Sequence, residues 1–275
     1  MFVKRKLKIV NVKKHIKQIE KTLLEISEKL ESSPEIRSFI IVGSYSKKIS
    51  NYPNDVDCIV ITNKSLSSSK KNQIHKQLNP DKIDSSDDTT RLYINSIEFG
   101  FAYRNSKKFY NQIKSLTLGR EQNIRKNGVI WAIGDNLPEV MLSDLSQCRI
   151  IFDKDNSISN IKSDLLKQYP KALRVNLVNN LNCEIHNKLL LIDGYLKQGN
   201  NLLVKVGISD VIIAIYRLAH AKNAFYPLGL KHIQNYNYFE TEKEFTRLID
   251  DLIKTSKNDN LTETIYRLKE IYRKI

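Results

Sequence analysis

The stretch that decides the fold runs from Ile40 to Ile61 and reads IIVGSYSKKISNYPNDVDCIVI. A β-branched run ends at Gly43, a polar loop follows, and a second apolar run opens with Asp55 and Asp57, which predicts two strands joined by a loop. Residues two apart on a strand point to the same face, so the two aspartates share a face. Neighbouring carboxylates repel each other unless a cation lies between them. Mg²⁺, which prefers oxygen ligands, fits this arrangement.

The Gly-Ser pair before the loop suggests a phosphate site. Gly43 has no Cβ, so a phosphate can approach its backbone closely. If a helix begins here, its free N–H groups and the Ser44 hydroxyl form an anion site. The alternative for Asp55 and Asp57 is an ordinary turn at the start of a strand. Against that alternative, Asp57 lies inside an apolar run, where an unpaired carboxylate is costly. A phosphate site facing a metal-binding carboxylate pair is what nucleoside triphosphate chemistry requires.

This combination of apolar strands, Gly-Ser and Asp-x-Asp resembles the polymerase-β-like nucleotidyltransferase superfamily. The resemblance implies a third carboxylate from a later strand, and Glu98 in the strand-like run LYINSIEFGF (residues 92–101) is the candidate. The alternative for Glu98 is a place on the solvated face of that strand. The family pattern implies two Mg²⁺ ions, for which Mn²⁺ could substitute. Asp55 and Asp57 would bridge these ions, and Glu98 would bind the one nearer the nucleophile.

The same resemblance implies a reaction and its co-substrate. An acceptor hydroxyl attacks the α-phosphorus of a bound nucleoside triphosphate, expected to be ATP, and pyrophosphate leaves. The amides from Gly43 to Tyr45 and the Ser44 hydroxyl would hold the β- and γ-phosphates, helped by Lys47 or Lys48.

Composition bounds the class of protein. No apolar run approaches the roughly 20 residues of a membrane span, and the segment Met1 to Lys6 is not followed by an apolar signal segment. We therefore expect a cytoplasmic protein without a membrane partner. The net charge of +15 favours anionic partners such as nucleotides or RNA. Lysines scattered over the surface by biased base composition would give the same charge.

The second half of the chain has a different pattern. Strand patterns end near residue 157, and helical periodicity continues from there to the C-terminus. The predicted fold class is α+β, with a nucleotidyltransferase domain over residues 1–157, in which helices flank a mixed sheet, and an all-α helical bundle over 158–275. Helices are predicted at residues 12–30, 161–168, 171–196, 202–222, 240–257 and 262–274, and the last strand at residues 149–153.

Residues 183–200 and 214–227 together resemble the helical C-terminal domain of the aminoglycoside and lincosamide nucleotidyltransferases. That resemblance implies that the helical domain binds the acceptor and that Glu184 is a general base. The alternative for Glu184 is an ion pair with Lys188 one helical turn later. Arg217 lies in an otherwise apolar helix, which makes it a candidate nucleotide contact. Related enzymes include homodimers, but nothing in this sequence indicates the oligomeric state.

Three functions therefore stay open. The first is transfer of AMP to a hydroxyl of a small molecule such as an antibiotic, which would give antibiotic resistance. The second is transfer to a protein or to the 3′ end of tRNA or another RNA, as in toxin–antitoxin nucleotidyltransferases. The third is a nucleotide-binding module without catalysis. Steeply salt-dependent RNA binding would favour the RNA acceptor.

Overall fold

A mixed β-sheet and a set of helices make up the chain. The computed structural model describes residues 2–49, 53, 55–85, 89–120, 137–230 and 243–275. The strands are β1 (Ile36–Val42), β2 (Asp55–Thr62), β3 (Lys82–Ser85), β4 (Thr90–Ile94), β5 (Ile97–Asn105) and β6 (Arg149–Asp153). The α-helices are α1 (Phe2–Glu31), α2 (Gly43–Ser46), α3 (Ser68–Gln77), α4 (Ser106–Thr117), α5 (Pro138–Ser146), α6 (Ser157–Asn160), α7 (Lys171–Lys197), α8 (Asn201–Lys222), α9 (Lys243–Ser256) and α10 (Leu261–Lys274). A π-helix, Ile161–Leu165, follows α6.

The sheet has the strand order β3-β4-β5-β2-β1-β6. Strands β2 and β5 are parallel, and every other neighbouring pair is antiparallel. This mixed sheet and the helices that follow it confirm the predicted α+β class. β6 has the bounds that the sequence predicted for the last strand.

The main core lies on one face of the sheet. On β2, Val56, Cys58 and Val60 are buried, whereas the residues between them are half-buried. Helix α1 packs its apolar stripe onto the same core, through Ile19, Leu23, Ile26 and Leu30. The opposite face of β2 is therefore left for the polar residues Asp55 and Asp57.

Helix α1 begins earlier than predicted, at Phe2 rather than near Val12. The segment before Val12 is rich in lysine and contains neither glycine nor proline. Because lysine is a good helix former, nothing in that segment stops the helix.

A tight turn joins β4 to β5 and fixes their register. Asn95 and Ser96 both have positive φ angles, of 52° and 62°, as a two-residue type I′ hairpin turn requires. The turn pairs Tyr93 with Glu98 across the two strands. The position of Glu98 on β5 therefore follows from the turn.

The chain divides into two compact units that differ from the predicted domains. The first unit comprises Met1–Ile113 and Asp144–Lys167, and the second comprises Lys114–Ser143 and Gln168–Ile275. A contact between β6 and the helix that follows it keeps residues beyond 157 in the first unit. In the first unit, α6 packs on β6, where the Ser159 amide donates to Asp153 over 2.9 Å.

The second unit contains a helical hairpin that supports the predicted helical region. Helices α7 and α8 are joined by a short turn in which Gly199 has a φ angle of +69°. They approach closely because Gly207 has no Cβ, which would lie 2.6 Å from Ile192 Cγ1. Helices α9 and α10 pack against α8. In the described ranges, no helix combines the length and the apolarity that crossing a membrane requires.

Candidate functional site

One edge of the sheet gathers the ends of the strands that carry the predicted site. Strand β1 ends at Val42, which pairs with Asp57 near the start of β2. The parallel strand β5 starts at the same edge, where Glu98 pairs with Asp55. The turn at Gly43 therefore begins where both acid-bearing strands begin.

Three carboxylates lie on one face at this edge. Asp55 and Asp57 are half-buried and alternate with core residues of β2. Glu98 is half-buried between Ile97 and Phe99, which are buried in the core. Because paired residues of neighbouring strands point to the same face, the three side chains share the face opposite the main core. We call Asp55, Asp57 and Glu98 the carboxylate edge.

Two glycines flank the carboxylate of Asp57. A Cβ on Gly43 would lie 2.2 Å from Asp57 Oδ2, and a Cβ on Gly100 would lie 3.4 Å from Asp57 Oδ1. Gly43 also has a φ angle of +69°, which disfavours any residue with a Cβ. The side chain of Asp57 thus occupies the space over Gly43, and only glycine leaves room for it there.

Glu98 forms a hydrogen bond and an ion pair with residues of the neighbouring strand β4. Its carboxylate accepts a hydrogen bond from Tyr93 Oη over 3.1 Å and lies 3.3 Å from Arg91 Nε. The hydrogen bond to Glu98 raises the pKa of Tyr93. Arg91 therefore supplies positive charge next to the carboxylate edge.

The carboxylate edge fits a hard divalent ion in its chemistry, because all three side chains offer carboxylate oxygens. Within the described residues, however, no three His, Cys, Asp or Glu side chains converge into a metal-binding group. Glu98 is also engaged by Arg91, and an ion pair and a metal compete for the same carboxylate oxygens. The predicted roles of Asp55, Asp57 and Glu98 stay predictions.

The segment Gly43–Ile49, here called the α2 turn, is fastened by its side chains to the rest of the first unit. Tyr45 donates a hydrogen bond to Glu20 of α1. Ser46 Oγ donates to the carbonyl of Gln147 over 2.8 Å. Burial and the carboxylate of Glu20 both raise the pKa of Tyr45, which keeps its hydroxyl protonated as the donor.

The two candidate lysines of the α2 turn have different surroundings. Lys47 Nζ lies 2.7 Å from Asp144 Oδ1, and only 4% of its side chain is exposed. Lys48 is exposed, has a φ angle of +54° and forms no ion pair within the described residues. The Ser44 hydroxyl likewise has no hydrogen-bond partner in the described part of the chain. Ser44 and Lys48 are therefore the groups of the turn that are available to a ligand.

Glu184 and Arg217 belong to the second unit. Glu184 Oε1 lies 2.8 Å from Lys188 Nζ, which also contacts Asp210, so the ion pair offered as the alternative is present. Arg217 forms an ion pair with Glu139, of which only 1% is exposed. These contacts give both residues structural partners. Their predicted roles as general base and nucleotide contact stay predictions.

The sequence did not single out several residues that hold the site. Glu20, Asp144 and Arg149 are far from the α2 turn in sequence, and no local pattern links them to it. For Glu139 the sequence does offer a signal: an acidic residue next to the apolar residues of α5 predicts that its carboxylate has a buried partner. Trp131, the only tryptophan, is predicted from the sequence to fill a core, with stacking on a base as the alternative, and it lies outside the described residues.

Comparisons with known proteins give a limited result. No model of a protein family matches the sequence, and no curated protein matches it. Among solved structures, the chain is similar to a nucleotidyltransferase-like protein from Exiguobacterium sibiricum 255-15, determined at 1.90 Å resolution. The two share 12% sequence identity with a TM-score of 0.46, over 93% of this chain and 75% of that chain. A likeness at this level does not transfer an activity to the chain.

Proposed function

We propose that the chain is a metal-dependent nucleotidyltransferase that moves a nucleoside monophosphate, expected to be AMP from ATP, to an acceptor hydroxyl. One observation carries the proposal: Asp55, Asp57 and Glu98 share a face at the edge of the sheet where the α2 turn begins. A phosphate-binding turn beside a group of carboxylates is the arrangement that positions a triphosphate through a cation.

The electrostatics of the carboxylate edge support a bound cation. Three carboxylates on neighbouring positions of two strands repel each other, and Arg91 is the neighbouring cation that contacts Glu98. Asp55 and Asp57 would hold Mg²⁺, and Glu98 would complete the oxygen set. When bound, Mg²⁺ would neutralise phosphate charge and acidify the acceptor hydroxyl.

The α2 turn would bind the β- and γ-phosphates. Among its side chains, Ser44 and Lys48 are available, and the backbone amides near Gly43 can be approached closely because Gly43 has no side chain. Lys47 would act differently: its pair with Asp144 fixes the turn rather than binding phosphate. Lys48 is thus the proposed phosphate ligand of the two lysines.

The reaction is a substitution at phosphorus. The acceptor oxygen forms a bond to the α-phosphorus, and the bond from that phosphorus to the bridging oxygen of the β-phosphate breaks. Pyrophosphate leaves with the electron pair, and the proton of the acceptor passes to a base or to solvent. Most of the rate would come from positioning and from stabilising charge that develops on the leaving oxygens.

The proposed acceptor is a small hydroxylated molecule, such as an antibiotic. A second candidate, an RNA, is favoured by a specific observation on α1. Lys13, Lys14 and Lys17 are exposed there, and none forms an ion pair within the described residues. Unpaired lysines on one helix can bind phosphates of a nucleic acid backbone.

A label-transfer assay tests the proposal. The protein is incubated with Mg²⁺ or Mn²⁺ and each α-labelled triphosphate, against pools of hydroxylated antibiotics, total tRNA and total cell protein. We expect label in one pool with the wild type and none with Asp57→Asn. Nucleotide binding without transfer to any pool would indicate a binding module. Equal transfer by Asp57→Asn would refute the assignment of the site.

A further inference from the structure

Helix α1 contacts the segments that carry each part of the carboxylate edge. A ring nitrogen of His15 lies 2.9 Å from the carbonyl oxygen of Pro53, two residues before Asp55. Gln18 Nε2 donates to the carbonyl of Asn95 over 2.9 Å, in the turn that sets the register of Glu98.

A second contact strengthens the link to the β4–β5 turn. Asn95 Nδ2 donates to Thr22 Oγ1 over 3.1 Å, so α1 holds both the backbone and the side chain of Asn95. Asn95 has a positive φ angle and lies three positions before Glu98 in the sequence. The turn cannot shift relative to α1 without breaking both hydrogen bonds.

The strongest link joins α1 to the α2 turn. Glu20 accepts hydrogen bonds from Arg149 Nη1 and Nη2 of β6, over 2.6 and 2.7 Å, in a bidentate pair. The same carboxylate accepts a hydrogen bond from the hydroxyl of Tyr45. The hydrogen bonds from Arg149 lower the pKa of Glu20, so it stays ionised and able to accept from Tyr45. A bidentate pair also fixes the direction of the carboxylate.

We propose that α1 is the positioning element of the site, and that Glu20 is its key positioning residue, acting through Tyr45 on the α2 turn. Glu20 touches neither substrate nor metal in this proposal. It sets where the turn lies relative to Asp57, whose carboxylate occupies the space over Gly43. This role in catalysis rests on the proposed function, whereas the fastening of the turn does not.

Two variants and one control test the inference. Glu20→Gln weakens the ion pair with Arg149 and the hydrogen bond that residue 20 accepts from Tyr45. Tyr45→Phe removes only the hydroxyl that donates this hydrogen bond. The control is Glu25→Gln on the same helix, because Glu25 is exposed and its one ion pair within the described residues is a 3.9 Å contact with Lys21. Thermal melts establish that each variant is folded.

The first readout is hydrogen exchange of three amides in the α2 turn. Lys47, Lys48 and Ile49 donate to backbone carbonyls of the turn over 3.1–3.2 Å. We expect their exchange to become faster by roughly tenfold or more in Glu20→Gln and Tyr45→Phe, as for the loss of a hydrogen bond to a charged group. Exchange in β2 should not change, and Glu25→Gln should match the wild type throughout.

The second readout separates KM from kcat in the transfer reaction. A displaced phosphate-binding turn should lower kcat/KM by roughly 10- to 100-fold, because misplacement of reacting groups is costly. If Glu20 acts through Tyr45, the variant with both Glu20→Gln and Tyr45→Phe should lose no more kcat/KM than Glu20→Gln alone. A purely structural role would lower the melting temperature and leave kcat and KM of the folded protein unchanged.

The outcomes distinguish failure of the inference from failure of the proposed function. Unchanged exchange in the α2 turn of both variants would overturn the inference, whether or not the wild type is active. Faster exchange in a protein whose wild type transfers no label would support the fastening and refute the proposed function. Faster exchange with unchanged kcat and KM in an active protein would overturn the positioning role.

Discussion

Replacing Gly43 by alanine should disrupt the carboxylate edge through a single atom. The new Cβ would lie 2.2 Å from Asp57 Oδ2 and 3.1 Å from Asp57 Cγ. A separation of 2.2 Å is more than about 1 Å below ordinary van der Waals contact. The carboxylate of Asp57 must therefore move, or the turn must move away from β2.

The expected magnitude has two parts. Gly43 has a φ angle of +69°, and a residue with a Cβ in this left-handed region costs about 1–2 kcal/mol of folding free energy. The contact with Asp57 adds to this cost. Because a displacement of about 1 Å at a reacting centre can lower the rate by about 100-fold, we expect a loss of that order in kcat/KM for the transfer reaction.

A double-mutant cycle isolates the contact without requiring activity. Urea unfolding is measured for the wild type, Gly43→Ala, Asp57→Ala and the double variant. In the Asp57→Ala background the carboxylate is gone, so Gly43→Ala should cost about 1 kcal/mol less than in the wild type, a normal coupling for residues in contact.

Gly100→Ala is the matched control, and additivity would refute the reasoning. A Cβ on Gly100 would make an ordinary 3.4 Å contact with Asp57 Oδ1, and alanine in a strand is about 0.5–1 kcal/mol better than glycine. We therefore expect Gly100→Ala to be as stable as the wild type or more so. If Gly43→Ala lowers the free energy of unfolding equally in the wild-type and Asp57→Ala backgrounds, the new Cβ at position 43 and the Asp57 carboxylate do not compete for space.

Three further predictions concern single groups. Lys48→Ala should raise the KM for the triphosphate without lowering stability, whereas Lys47→Ala should lower the melting temperature because it leaves Asp144 without this buried partner. Burial lowers the pKa of His75 to about 4. Between pH 6.5 and pH 4 the unfolded chain therefore binds a proton that the folded chain does not, and the free energy of unfolding should fall by up to roughly 3 kcal/mol as the pH is lowered across this range. Urea unfolding of His75→Phe should show a flatter pH dependence. Glu139→Ala should destabilise the protein by about 1.5–3 kcal/mol in urea unfolding, because it removes a buried carboxylate that accepts a hydrogen bond from the Arg217 guanidinium.

The sequence predicted the features that depend on local periodicity. Alternation along β2 places Asp55 and Asp57 on one face, and this follows from the geometry of any strand. The same local patterns predicted β6 and the helices α7 to α10 within a few residues. The mixed sheet was what the resemblance to the nucleotidyltransferase superfamily implied.

Features that depend on distant partners could not be predicted. The sequence left Lys47 and Lys48 equivalent, whereas the structure pairs buried Lys47 with Asp144 and leaves Lys48 exposed. Glu20 and Arg149 are brought to Tyr45 by the packing of α1 and β6 on the sheet, which no local pattern encodes.

The sequence patterns also did not predict the edge strand β3, for a different reason. All four of its residues, Lys82–Ser85, are exposed. A strand with no buried face carries no hydrophobic pattern to detect. Its pairing with β4 is visible only once the sheet is assembled.

The most direct test of the central claim is a titration of Mn²⁺, followed by electron paramagnetic resonance, with a non-hydrolysable ATP analogue present. The wild type is compared with Asp57→Asn and with Asp250→Asn, which changes an exposed acid of the second unit. We predict that the wild type and Asp250→Asn bind Mn²⁺ with the nucleotide, and that Asp57→Asn loses this binding. Equal Mn²⁺ binding by all three proteins would contradict a metal–nucleotide site at the carboxylate edge.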